Sequence, residues 1–156
     1  MGTVNFYHLT RFSADEVVDM LLARALSQGW RVFLRCPDRA ALERQDERLW
    51  LHPKDGFLPH GLQGAPHEAD QPVLLGSGAV TNGAQAVLLL GAQPIDTAEA
   101  QTLERVWLVF DGSDEDQVAL ARRQWKAAVT AGLPAQYWND ASGRWEKKAE
   151  HPPVSG

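Results

Sequence analysis

Residues 3–36 read TVNFYHLTRFSADEVVDMLLARALSQGWRVFLRC, and this stretch decides the fold. Thr3–Leu9 is rich in β-branched and aromatic residues, the composition of a strand. Ser13-Ala14-Asp15-Glu16 is a capping box, and Val17, Leu21 and Ala25 together with Val18, Leu22 and Leu26 recur at helical spacing on one broad apolar face. Gly29 follows that run and supplies the left-handed residue that ends a helix, so the spacing predicts a helix over 14–28. Trp30–Cys36 is a second strand, and Pro37-Asp38 opens a second helix reaching about Leu49. Strand, helix, strand and helix joined by short connections predict a parallel unit with a right-handed crossover.

Outward from this unit, residues 52–71 change character. They hold Pro53, Gly56, Pro59, Gly61, Gly64 and Pro66 and read as an ordered loop. Pro72–Leu75 and Ala86–Leu90 are short apolar strands with the turn signal Asn82-Gly83 between them. Asp96-Thr97-Ala98-Glu99 starts a short helix, and Arg105–Phe110 (RVWLVF) is a buried strand. Asp114, Glu115 and Asp116 suit the positive end of a late helix that runs to about Thr130 and stops at Gly132. Pro134–Asn139 is extended. The expectation is one α/β domain over residues 1–150, with a mostly parallel central sheet and helices on both faces, and a flexible tail over 151–156 (HPPVSG).

Composition narrows the function. The chain has 156 residues, enough for one domain with a core of its own. Its 44% hydrophobic and 22% charged residues fit a folded soluble protein. A single cysteine, Cys36, cannot form an internal disulfide. The first residues lack the basic start and apolar run of a signal peptide, and no apolar run approaches the roughly 20 residues of a membrane span. A cytoplasmic protein is expected. The net charge of −5 argues against a general nucleic-acid coat, which needs clustered cations facing phosphates.

Catalytic and cofactor motifs are weak. Gly76-Ser77-Gly78 follows a strand, but the chain continues into another strand instead of the helix whose free N–H groups would bind phosphate. The arrangement is Rossmann-like without a nucleotide site. His52, His60 and His67 share a loop with Asp55 and Glu68, yet their spacing matches no metal-binding pattern. Cys36 ends an apolar strand with nothing beside it in sequence to lower its pKa, and Ser77 lies in no nucleophile elbow. No catalytic residue, metal or cofactor is assigned. A nucleotide-dependent enzyme on an α/β scaffold stays as the rival class.

Binding surfaces are better marked. Of six tryptophans, Trp30 and Trp107 lie on apolar strands and read as core, whereas Trp50 heads the Pro/Gly loop with Phe57 seven residues on. Large aromatics there either plug the core or anchor a partner. On the late helix, at 100° per residue, Val118, Trp125 and Val129 fall within about 40° of one another, widened by Ala121 and Ala128. Arg122 and Lys126 border the other side, one turn apart. This is either a core-facing helix whose cationic stems cover its edge, or a seam that takes an acidic segment ending in apolar side chains.

Taken together, these motifs resemble the chi subunit of bacterial DNA polymerase III holoenzyme, over about Val4 to Ala149. The marks are FYHL at Phe6–Leu9, Asp46-Glu47-Arg48-Leu49-Trp50, Phe57-Leu58-Pro59-His60 with Leu62, Phe110-Asp111-Gly112, Ala121-Arg122 with Trp125-Lys126, Gly132, Tyr137-Trp138, and Gly143-Arg144-Trp145-Glu146-Lys147-Lys148-Ala149. Each is short; their order and spacing jointly are specific.

The resemblance implies a non-catalytic accessory subunit of the clamp-loader assembly. Chi subunits bind the acidic, Phe-terminated C-terminal tail of single-stranded-DNA-binding protein and pair with the psi subunit, which links them to the clamp loader. The family's tail-binding residues fall on Arg122, Trp125 and Lys126, beside Val118. Its psi-facing Trp and Phe fall on Trp50 and Phe57, a surface that in some members takes a helicase-like repair protein. Many relatives have a second Arg where this chain has Gln124, and some a Lys where it has Val118, which implies a less charged pocket here.

Overall fold

Val4 and Phe6, Val106 and Leu108, and Val87 and Leu89 alternate with residues that are themselves buried, so these strands need cover on both faces. The computed structural model, which describes residues 2–51 and 59–152, supplies it. The chain runs β1 (Thr3–Leu9), α1 (Ala14–Ser27), β2 (Val32–Arg35), α2 (Arg39–Leu51), β3 (Gly61–Leu62), β4 (Val73–Gly76), β5 (Ala86–Leu90), α3 (Thr97–Thr102), β6 (Arg105–Asp111), α4 (Glu115–Thr130), β7 (Ala135–Asn139) and β8 (Glu146–His151). A 3-10 turn at Glu68–Asp70 lies between β3 and β4. The strands form one eight-stranded sheet in the order β3-β4-β2-β5-β6-β1-β7-β8. Every pairing is parallel except β7 with β8.

The period of two along each strand divides the core into two layers. Tyr7, Leu9, Leu34, Leu88, Trp107 and Val109 face α1, whose Val17, Val18, Leu21, Leu22 and Ala25 are buried against them. Val4, Phe6, Phe33, Leu89, Leu108 and Phe110 face the other way, against Ala100 of α3 and Ala121 and Ala128 of α4. The helices begin where the caps place them. Ser13 Oγ accepts the Glu16 N–H, Asp96 accepts from Glu99, and Asp114 accepts from Asp116 and Gln117. Gly29 and Gly132 follow α1 and α4 with φ of 75° and 77°, the left-handed conformation that ends a helix.

Four features depart from the sequence reading. The 52–71 stretch read as loop contains β3, which pairs in parallel with β4, and the 3-10 turn at Glu68–Asp70. β1 and β2 are parallel, but β5 and β6 stand between them, so the first crossover spans two strands. β4 and β5 do not pair with each other across Asn82-Gly83; they flank β2 on opposite sides. β8 was not expected: its residues EKKAEH carry no apolar alternation, and it is held as an edge strand by β7. Phe57, the His52–Asp55 part of the predicted loop, and residues 153–156 of the predicted tail lie outside the described residues.

Candidate functional site

α4 sets the apolar stripe of its sequence against the sheet. Ala121 and Ala128 are its buried line, and Val118 and Trp125 are partly buried beside it against the same core layer. Arg122 and Lys126 are exposed. Among the described residues neither makes a hydrogen bond or ion pair. That sets them apart from Arg35, Arg44 and Arg48, whose guanidinium groups are committed to Glu99, Asp15 and Asp19. Gln124 faces inward, its Oε1 accepting the Ile95 N–H at 2.8 Å. Arg123 is exposed on the outer side of the helix.

The wall behind the seam comes from the sheet. Trp125 meets Phe6 edge-on at 5.4 Å between ring centroids and Tyr137 at 6.1 Å. Tyr137 stacks on Phe6 at 6.3 Å, because register pairs these two residues across β1 and β7. Two residues further along β1, on the same face, His8 packs against Phe110, and its Nδ1 lies 2.6 Å from the Tyr137 hydroxyl. Burial lowers the His8 pKa, with Arg122 pushing the same way and Asp140 and Asp111 opposing. Burial raises the Tyr137 pKa, and Arg122 pulls it down. The Arg122 charge therefore acts on both groups. His8 and Tyr137 enter the sequence reading only as parts of motifs; the period of two puts Phe6 and His8 on one face of β1, but nothing local joins either to Tyr137.

The second aromatic surface lies at the end of α2. Trp50 and Leu51 are 51% and 62% exposed, unusual for large apolar side chains. The Trp50 ring lies 4.6 Å from that of His60, whose Nε2 is 3.0 Å from Asp46. Phe57, expected to act with Trp50, lies outside the described residues.

The crevice where open α/β folds place ligands is also present. A cavity of about 460 Å³ opens at the carboxyl ends of β1, β5 and β6, lined by Leu9, Phe12, Arg44, Leu90 and Gln117 among others. The turn from β1 into α1, the usual phosphate cradle, holds a carboxylate of the chain itself. Fully buried Asp140 accepts the Thr10 N–H at 2.6 Å, the Arg11 N–H at 3.1 Å and the Phe12 N–H at 2.7 Å. Three successive N–H groups converging on one anion form a nest, already filled. Beside Gly76-Ser77-Gly78 the space is taken by Gln63, whose Oε1 accepts the Gly78 N–H at 3.1 Å. Among the described residues no group of three or more His, Cys, Asp or Glu side chains is arranged to hold a metal ion. No described helix is long and apolar enough to cross a membrane.

Fold and surface define a Rossmann-like α/β protein that fills its own anion nest and carries two exposed cations on α4 beside the partly buried Val118 and Trp125. The chain belongs to the DNA polymerase III chi subunit family: residues 1–136 match the family described as "DNA polymerase III chi subunit, HolC". It is 39% identical over 83 residues to DNA polymerase III subunit chi of Pseudomonas aeruginosa, a match covering 50% of this chain and 56% of that protein. It is 26% identical over 140 residues to the Escherichia coli subunit of the same name, covering 85% of this chain and 95% of that one. With the Haemophilus influenzae subunit it shares 31% identity over 74 residues, 46% of this chain and 51% of the other. The matched stretch thus spans about half the length of two of these relatives and nearly all of the third.

Proposed function

We propose that this chain is a non-catalytic accessory subunit of a bacterial DNA polymerase III, working in the cytoplasm. It tethers the clamp-loader assembly to single-stranded-DNA-binding protein by gripping that protein's acidic, Phe-terminated C-terminal tail. The observation that carries the reading is the pairing of Arg122 and Lys126, exposed and uncommitted among the described residues, with the partly buried Val118 and Trp125. Tail carboxylates meet the two cations in charge-assisted hydrogen bonds, each contributing about 1.5–3 kcal/mol where well formed. The terminal Phe ring buries against Val118 and Trp125, adding about 2 kcal/mol. After ordering costs the expected affinity is micromolar and falls with salt. Several tails on one partner strengthen such a hold by avidity.

Calorimetric titration with a synthetic acidic peptide ending in Phe tests this. Arg122→Ala is expected to weaken binding by at least about tenfold, with the circular dichroism spectrum unchanged. Equal affinity in parent and variant removes α4 from the site.

The exposed Trp50 and Leu51 support a second contact, pairing with a psi subunit and through it with the clamp loader. A helicase-like repair protein would compete for the same surface. Trp50→Ala should abolish co-purification with psi and leave peptide binding intact.

A further inference from the structure

The tail-binding reading leaves His8 without a role, although it is hydrogen-bonded to Tyr137, which packs against Trp125, and feels the Arg122 charge. The imidazole is held on three sides. Phe110 packs against it at 5.2 Å between ring centroids, Tyr137 caps Nδ1 through its hydroxyl, and Gly112 leaves room that a Cβ would fill by colliding with the ring. The charged groups facing it come from every neighbouring element: Arg122 from α4, Asp111 from the end of β6, and Asp140 beyond β7. Asp140 is already committed to three N–H groups of the β1–α1 turn, and Asp111 to Ser113. The Tyr137 hydroxyl is the hydrogen-bond partner of His8, its ring packs against Trp125, and the Arg122 charge acts on both groups.

We infer, resting on that reading, that Tyr137 and His8 form a relay in which an incoming tail carboxylate takes the Tyr137 hydroxyl proton as a hydrogen bond while His8 takes up a proton from solvent. Before binding, the neutral ring accepts the Tyr137 O–H at Nδ1. On binding, the hydroxyl turns to the carboxylate and its oxygen needs a new donor. One solvent proton added to the imidazole makes both ring nitrogens donors, and Nδ1–H fills that place; no covalent bond changes except this protonation. The electrostatics run the same way. Arg122 helps to keep His8 neutral, and a bound carboxylate cancels that repulsion while adding an attraction of its own. Binding and protonation are then reciprocal: affinity is flat above the His8 pKa of the complex, rises as pH falls below it, and levels off below the lower pKa of the free protein.

The full chain is titrated with the acidic, Phe-terminated peptide at about pH 8 and about pH 5.5 at fixed ionic strength, in buffers of different ionisation enthalpy that count protons taken up. The parent should bind more tightly at the lower pH, by up to about tenfold for each unit by which the carboxylate raises the His8 pKa. His8→Gln should lose that slope. Tyr137→Phe, which keeps the ring and removes only the hydroxyl, should lose most of it, with the circular dichroism spectrum of both variants unchanged. A slope retained in either variant overturns the relay. Parent binding that is weakened by Arg122→Ala but takes up no proton overturns the relay alone. No parent binding at either pH overturns the tail-binding reading, and the relay with it.

Discussion

The Trp125 indole stands edge-on to the Phe6 ring at an interplanar angle of 61°, and this contact fastens α4 to β1. One side chain thus serves two purposes: its inner edge is core and its outer face borders the cations. Trp125→Ala should lower stability by about 2–3 kcal/mol, less than for a fully buried tryptophan, as read by urea unfolding. It should also abolish peptide binding. Trp125→Phe should recover most of the stability and part of the affinity. A Trp125→Ala variant as stable as the parent would show that the Phe6 contact contributes nothing to the fold.

Asp140 invites a second substitution, because it holds the turn that leads from β1 into α1. Its two oxygens accept three N–H groups of the β1–α1 turn from a fully buried position. Asp140→Asn keeps the shape but turns one end into a donor, so at least one buried N–H then faces an amide hydrogen. Loss of a charge-assisted, buried acceptor should cost about 2–4 kcal/mol in urea unfolding. If the loss is below about 0.5 kcal/mol, Asp140 is a passive filler of the nest.

Most of the fold was legible because local signals and long-range packing agreed. Ser13, Asp96 and Asp114 cap the helices that follow them, and Gly29 and Gly132 end two of them at positive φ. The apolar runs of β2, β5 and β6 marked strands buried on both faces. Strand neighbours were not legible, since nothing local to β1 and β2 says that β5 and β6 will pass between them. β8 was invisible for a related reason: charged residues on an edge strand limit unwanted pairing, and they erase the alternation by which strands are recognised.

The site divides in the same way. Val118, Arg122, Trp125 and Lys126 lie on one helix, so angular arithmetic groups them, and their burial in the structure follows that grouping. His8 and Tyr137 are separated by 129 positions and meet only through the β1–β7 register. No spacing rule reaches that far.

Acid stability should depend on Asp15. Its pKa is lowered chiefly by the hydrogen bond from Arg44, which outweighs the opposing effect of burial, with further help from Gln45 and the charges of Arg48 and Arg44. A carboxyl depressed in the folded state adds stability that is complete above its unfolded value, about 3.9, and is lost as pH falls through the folded value. The stability difference between the parent and Asp15→Asn should therefore be greatest near neutral pH and shrink below about pH 4. Urea midpoints measured from pH 7 downward check this. A difference that stays constant to about pH 2 would mean that Asp15 acts through packing and neutral hydrogen bonds alone.

Cys36 should be chemically silent while the chain is folded. It is 1% exposed at the end of β2, and burial, with a smaller contribution from the charge of Asp38, pushes its thiol up to about 12 from an ordinary 9.0. Three units correspond to roughly a thousandfold less thiolate, the form that reacts. Disulfide reagents at about pH 8 should therefore modify the native protein at least about a hundredfold more slowly than the urea-unfolded chain, with the difference vanishing across the unfolding transition. Comparable rates in the two states would require the Cys36 thiol to reach solvent by local opening of the β2–α2 connection, and adding the acidic peptide, proposed to bind α4 on the opposite face of the sheet, should leave the native rate unchanged.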